Sequence, residues 1–380
     1  MKNRAPILST GLALFSMFFG SGNLVFPLIV GQLSEGHAVL SSLGIIITGV
    51  LVPFLGIFAM LLFQGDTKEF FSRLGKFAPF WFSLFCLAIM GPFGVLARCI
   101  TVSHGAFCLL APGTSLWLFS LISCGILFAL TFRKNKIVPL LGIVLTPLLL
   151  FSLIGIALFG LFSGSWEPTA VGNGWESFKT GFFKGYQMMD LLAAFFFSTF
   201  VINHLKQKST ESSVSPLSIF FKSALLGAGL LSIVYIIFVV LGAKYSSLLQ
   251  GVPAPEMLCL LAYSALGSFA APVACITIVL ACFTTAMVLA TLFADFLRKE
   301  ISKERIPFSL ALITTLAIGF FISTLGFYGI MSFIGPILEI IYPALIVLTI
   351  LNIAYKTWGW QAIRMPTAAA FLVKLASSFI

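Results

Sequence analysis

The chain predicts an all-α membrane protein, built as five helices followed by five more in the opposite sense and one extra at the C-terminus. Three observations lead there. Hydrophobic residues fill 59% of the 380 positions and charged residues only 9%, whereas a water-soluble domain carries roughly 25% charged residues to wet its surface. Apolar runs of membrane-spanning length recur from end to end. Two of these runs, the first and the sixth, are interrupted at matching places in the order of spans.

The composition also sets aside other classes. Length alone allows two or three soluble domains, but no polar block is long enough to be one, so residues 1–380 form a single membrane unit. The formal charge of +10 is dispersed through short loops instead of gathered on one tail, which argues against nucleic acid as a partner. Seven cysteines lie mostly inside apolar runs with no C-x-x-C pair, so neither a disulfide framework nor a zinc site is expected. Lys2 and Arg4 precede an apolar run as in a signal peptide, yet no small-x-small cleavage site follows.

A span needs about 20 mostly apolar residues. That rule gives Ile7–Gln32, Val39–Phe63, Pro79–Leu110, Leu116–Phe132, Val138–Phe162 and Phe182–His204. It continues with Leu217–Gly242, Phe269–Leu297, Pro307–Leu325, Met331–Asn352 and Gly359–Ile380, eleven in all. Ala254–Leu266 is apolar but too short, and reads as an interfacial or re-entrant helix. The first repeat then covers about residues 7–162, the second about 178–352, and the extra helix about 359–380.

Basic residues orient the spans. With the N-terminus inside, the inner segments hold Lys2, Arg4, Lys68, Arg73, Lys76, Arg133, Lys134, Lys136, Lys206, Lys208, Lys222, Arg298, Lys299, Lys303, Arg305, Lys356 and Arg364. The outer segments hold Lys179, Lys184, Lys244 and Lys374. Seventeen against four places the N-terminus in the cytoplasm.

The first interruption runs Phe19-Gly20-Ser21-Gly22-Asn23-Leu24-Val25-Phe26-Pro27. Glycine is poor in helix interiors, and Pro27 leaves the Asn23 carbonyl without its helical donor. Irregular backbone at membrane depth survives only inside protein or beside a wet cavity. A half-helix starting near Asn23 presents bare N–H groups that suit an anion, and the freed carbonyls suit a cation. A small-residue packing notch is the alternative. The second interruption centres on Tyr186-Gln187-Met188-Met189-Asp190, with a carboxylate inside an apolar run. Such a placement costs roughly 2.5 to 3.5 kcal/mol unless it meets a partner or water. A structural ion pair is again the alternative. The breaks fall in the first and sixth spans, each the first of a set of five, and because five is odd the second set must be inverted. Inverted repeats with broken first helices are a transporter architecture, holding substrate and ion between the breaks.

Thr284 and Thr285 in the eighth span offer hydroxyls to a cation whose other ligands are carbonyls of the first; alternatively each bonds its own preceding turn. Arg98 and Glu339 are further intramembrane charges that need partners, in a structural pair or in transport. His37, His104 and His204 lie near span ends.

With these residues in hand, the chain resembles the branched-chain amino acid carrier family, the bacterial leucine/isoleucine/valine:cation symporters also called transport system II carriers. The likeness rests on Phe19 to Pro27, on Gly91-Pro92-Phe93 with Arg98, on Gly185 to Asp190 with Ala193-Ala194, and on Cys282-Phe283-Thr284-Thr285-Ala286. It implies the leucine-transporter-type fold and a bacterial inner-membrane location. It further implies uptake of Leu, Ile or Val driven by Na+ or H+, with no other cofactor. Gly20, Ser21, Gly22 and Asn23 look like the unwound part of the first span, and Tyr186, Gln187 and Asp190 belong to its counterpart in the sixth. Asn23, Thr284 and Thr285 look like the cation site. The chain departs from the family at Ala97-Arg98-Cys99, where Pro-Arg-Thr is frequent, at Gly105, where an acid is usual, and at Met188, where Thr is usual. The family also has twelve spans against eleven here.

The reading that follows is alternating access by a secondary transporter whose partners are a small amino acid and the lipid bilayer, with no protein partner evident. A carrier of another small solute on the same fold is the nearest alternative, and a channel the next. A membrane-embedded transferase needs a base with an acid close by, but the residues five after His37, His104 and His204 are Ser42, Leu109 and Ser209.

Overall fold

The computed structural model describes residues 4–132, 146–162, 172–208, 215–267 and 270–377, and among them every regular element is helical. Residues 138–145 of the fifth expected span, Phe269 and residues 378–380 lie outside the described residues, as do Lys2, Arg133, Lys134, Lys136 and the side chain of Lys208.

The first expected span is two helices, α1 (Arg4–Phe18) and α2 (Ser21–Gln32), bent by 67° at the break. α3 (Ala38–Leu62) crosses next, wound more loosely for one turn at Ile47–Leu51. A short α4 (Thr67–Ser72) follows, its first amides capped by the Asp66 carboxylate. The third span is α5 (Ala78–Met90) and α6 (Val95–Cys108), interrupted at Gly91–Gly94, a break the sequence reading did not anticipate. α7 (Leu116–Thr131) and α8 (Thr146–Phe162) are shorter apolar helices.

The second half repeats the plan. α9 (Gly174–Tyr186) and α10 (Asp190–Lys208) form the sixth span, which starts eight residues before the expected Phe182 because Asn173 caps the Trp175 amide. α11 (Pro216–Lys244) follows, then the small α12 (Ser246–Leu249) and α13 (Met257–Leu266), the latter falling on the apolar stretch judged too short to cross. α14 (Ala270–Phe296), α15 (Phe308–Ser323) and α16 (Gly326–Trp358) complete the repeat. The last element, α17 (Arg364–Ser377), has 14 residues; at 1.5 Å per residue it covers about two thirds of a bilayer core.

Two ends can be told apart by their chemistry. At one, Glu69 of α4 pairs with Arg73 at 3.3 Å and Lys356 at 2.8 Å, Lys68 pairs with Glu300 at 2.6 Å, and Lys206 donates to the Gln64 carbonyl. All come from segments that charge counting placed together. At the other, α2, α3 and α9 are drawn tight. Ser41 donates to the Ser177 carbonyl at 3.2 Å, Ser177 to the Ser34 carbonyl at 3.0 Å, and Gln32 reaches the Leu249 carbonyl at 2.8 Å. Gly44 and Gly181 let α3 and α9 touch backbone to backbone, with no room for a side-chain carbon at either. Lys244 donates to the Gly160 and Leu161 carbonyls at the α8 C-terminus, where a cation meets bare carbonyls and the negative end of the dipole.

Candidate functional site

Both breaks lie in the middle of the bundle, and their local causes differ. In the first span, Gly20 is extended, with φ −114° and ψ −157°. The Asn23 side chain reaches back so that its Oδ1 accepts the Gly20 N–H at 3.2 Å, while the Gly20 carbonyl accepts the Leu24 N–H at 3.2 Å. This cap moves the start of the half-helix two residues earlier than expected, to Ser21. Gly20 alone of the predicted unwound residues is non-helical, while Ser21, Gly22 and Asn23 form the first turn of α2, where N–H groups have no carbonyl within the helix. In the sixth span the break is Gln187–Met189. Met189 holds a left-handed φ of 68°, costly for a side chain of its size, and Asp190 opens α10.

Asp190 is 3% exposed and meets the other break directly. The Asn23 amide donates to its Oδ2 at 2.7 Å, and the Tyr235 hydroxyl of α11 donates to the same oxygen at 3.0 Å. Asn23 Nδ2 also contacts the Tyr235 hydroxyl. One carboxylate thus ties together α2, α10 and α11. The sequence reading missed Tyr235 because a single tyrosine in an apolar run resembles core packing. Only the hydroxyl distinguishes it, and a buried hydroxyl needs a partner.

Arg98 of α6 is fully buried on the other side of the breaks. Its Nε donates to Ser21 Oγ at 3.0 Å and its Nη1 to the Gln187 carbonyl at 2.8 Å, so it too joins the first break to the second. Arg98 and Asp190 make no salt bridge with each other. Gly22 leaves the space for the guanidinium: a side-chain carbon there would lie 2.7 Å from Nη2.

Thr284 and Thr285 of α14 face the end of α1. The Thr285 hydroxyl donates to the Met17 carbonyl at 2.9 Å and the Ser16 carbonyl at 3.2 Å; Thr284 reaches the Ser16 carbonyl at 3.1 Å. Thr284 also bonds the Ala281 carbonyl of its own helix at 2.8 Å. Eighth-span hydroxyls thus lie against first-span carbonyls, and Thr284 also makes the bond to its own preceding turn that was the alternative reading. The Asn23 side chain bonds Gly20, Asp190 and Tyr235, and not these threonines.

Gly20, Asn23, Asp190 and Thr285 line one narrow cavity whose walls include Met17, Met90, Met188 and Met189. Tyr186 lies beyond it, stacked on Tyr342 of α16 at 4.7 Å; the Tyr342 hydroxyl accepts the Leu191 N–H at 3.0 Å. Gln187 contributes its carbonyl to Arg98, while its side chain accepts from Lys184 at 3.3 Å. Glu339 is not at the crossing. It stands on α16 within electrostatic reach of Lys184 of α9.

Two discontinuous helices in one helical bundle, their broken ends bridged by a buried acid and a buried arginine, define a secondary transporter of the inverted-repeat kind. The fold agrees with that of solved structures. The chain superimposes on MhsT in complex with L-phenylalanine with a TM-score of 0.63, 15% identity and coverage of 97% of this chain and 98% of that one. For Mhp1 in its inward-facing conformation the TM-score is 0.62, with 14% identity and coverage of 92% and 77%.

Residues 3–379 match the family model of branched-chain amino acid transport proteins, and the chain belongs to that family. Among curated relatives it is 30% identical to the branched-chain amino acid permease BraB of Bacillus subtilis, over 94% of this chain and 82% of the relative. It is 28% identical to the branched-chain amino acid transport system 3 carrier protein of Pseudomonas aeruginosa, over 99% and 86%. The chain is accordingly a multi-pass membrane transport protein with a small-molecule substrate, and the transferase reading is set aside.

Proposed function

We propose that the chain imports leucine, isoleucine and valine across a bacterial inner membrane by cation symport through alternating access, with its N-terminus in the cytoplasm. The observation that carries this reading is Asp190, buried at the first position of one half-helix and bonded to Asn23 in the first turn of another. Both groups belong to broken ends, so any change at one is felt at the other. The two repeats would extend over about residues 7–162 and 178–352.

The substrate carboxylate sits at the bare amides of Ser21 and Gly22, where the α2 dipole favours an anion. The ammonium faces Asp190 and the carbonyls that end α9. The branched side chain lies against Met17, Met90, Met188 and Met189, unbranched groups that adapt to aliphatic shapes. Burying a leucine-sized side chain contributes about 1.5–3 kcal/mol, enough to favour Leu, Ile and Val over Ala while separating them little from one another. The driving cation takes the hydroxyls of Thr284 and Thr285 with the Ser16 and Met17 carbonyls, oxygen ligands that suit a hard ion. Asn23 couples that site to the substrate through α2. The cavity between the breaks has room for about one water, so taking up leucine requires the half-helices to part.

The test is uptake of radiolabelled leucine into proteoliposomes, with sodium and proton gradients imposed separately and other amino acids as competitors. Saturable uptake that follows one imposed gradient and is inhibited by isoleucine and valine supports the reading. Uptake that neither gradient drives, or that an unrelated amino acid inhibits better, overturns it.

A further inference from the structure

We propose that Arg98 is the counter-charge for the substrate carboxylate, and that Arg98 and Asp190 together make the site selective for zwitterions. This rests on the reading of the chain as an amino acid carrier and adds the residue that decides which end of the substrate binds where.

The argument begins with an unsatisfied group. Arginine stays ionised and carries five N–H donors in a planar fork that matches a carboxylate. Arg98 is fully buried, its Nε and Nη1 are bonded to Ser21 and the Gln187 carbonyl, and its Nη2 has no partner. A buried charged donor without an acceptor is costly and is kept where something else uses it. Nη2 points at Gly22, the second residue of α2, whose missing side chain is what lets the guanidinium reach the helix end. The free Nη2 and the first amides of α2 therefore converge on one spot, and each of them alone favours an anion.

Charge accounting points the same way. If Arg98 served only to neutralise Asp190, the two would pair. Instead Asp190 is held by Asn23 and Tyr235, and Arg98 by Ser21 and a carbonyl, so both charges remain buried and separately braced. A zwitterion lying between the breaks, carboxylate toward Arg98 and ammonium toward Asp190, satisfies both. A monovalent amine or acid leaves one of them unanswered, which is how a buried polar site rejects an analogue.

The experiment compares leucine with leucinamide, which keeps the ammonium and side chain but lacks the carboxylate. Binding is measured on purified protein as ligand-induced thermal stabilisation, so that transport need not survive substitution. Wild-type protein is expected to bind leucine roughly ten- to a hundred-fold more tightly than leucinamide, the size of a hydrogen bond to a charged partner. In Arg98→Gln the leucine affinity falls to that of leucinamide, whose own affinity is unchanged. Arg98→Lys recovers part of the difference. Gly22→Ala, which keeps the arginine but displaces Nη2, also narrows it, and these two variants decide the matter if Arg98→Gln does not insert. A wild-type ratio retained in the variants, or equal weakening of both ligands, shows a structural brace and overturns the proposal. Absence of any ion-driven leucine uptake in wild type overturns the carrier reading itself, a separate result in a separate assay.

Discussion

At the scale of single residues, the site is a contest between burial and partnership. Asp190 accepts two bonds on one oxygen, from Asn23 and Tyr235, and stands at a helix N-terminus, which together offset part of its desolvation. Asp190→Asn should therefore abolish or uncouple leucine uptake while the protein still reaches the membrane, because the shape is kept and the charge is lost. Normal ion-driven uptake by that variant would remove Asp190 from the mechanism. Tyr235→Phe deletes one donor to the carboxylate, a bond worth about 1.5–3 kcal/mol to a charged group. Leucine uptake is expected to drop by at least about tenfold with expression unchanged, read as initial rate per protein inserted. Asp190 was legible in the sequence because an acid in an apolar run has few innocent explanations. Tyr235 and Tyr342 were not, since their rings fit the core and only their hydroxyls betray a role. Arg98 was visible as a charge, yet its partners, Ser21 and a backbone carbonyl, could only come from geometry.

At the scale of elements, glycine and proline announced the break in the first span, but its exact start depended on a side chain. Asn23 caps backward onto Gly20, so α2 begins at Ser21 and runs through Pro27. The break in the sixth span carries no glycine at its left-handed residue, Met189, and so was inferred from Asp190, from its place in the order of spans and from the family likeness over Gly185 to Asp190. The break at Gly91–Gly94 was read only as part of a family likeness. Where α1 meets α14, Thr285→Val keeps the volume but removes a hydroxyl that touches the Ser16 and Met17 carbonyls. If sodium drives transport, the sodium concentration for half-maximal uptake should rise about tenfold or more, the loss of one charged contact. An unchanged sodium dependence would take Thr285 out of the cation site. Where α3 meets α9, Gly181→Val forces a side chain into backbone contact with Ser41. Overpacking of this kind costs about 1–3 kcal/mol, and a lower unfolding temperature of the purified protein should report it.

At the scale of the whole molecule, the two ends are unequal, and the inequality gives a direction. The end at which α2, α3 and α9 close together has serine-to-carbonyl bonds and touching glycines across it. The opposite end, with Lys68, Glu300 and their neighbours, holds a cavity of about 380 Å³ lined by Lys76, Ser83, Leu87, Phe196, Thr199 and Asp295. Leu87 and Phe196 in its wall stand one helical turn from Met90 and Ala193, which line the space between the breaks. Leu87 and Phe196 therefore stand between the candidate site and the basic end, whereas α2, α3 and α9 close on one another at the other. Under the proposed orientation, in which the basic end faces the cytoplasm, the layer of Leu87 and Phe196 is the inner gate. A cysteine placed at Thr199, whose hydroxyl bonds the Phe195 carbonyl of its own helix, should react with a membrane-impermeant thiol reagent in inside-out vesicles and not in right-side-out ones. Six of the seven native cysteines are buried, and Cys108 lies at the far end of α6 from this cavity, which keeps the background low. Leucine together with its driving ion should change the labelling rate, since alternating access moves this layer when the breaks part. Labelling from the outer face alone would reverse the orientation, and a rate indifferent to leucine would detach this cavity from the transport path.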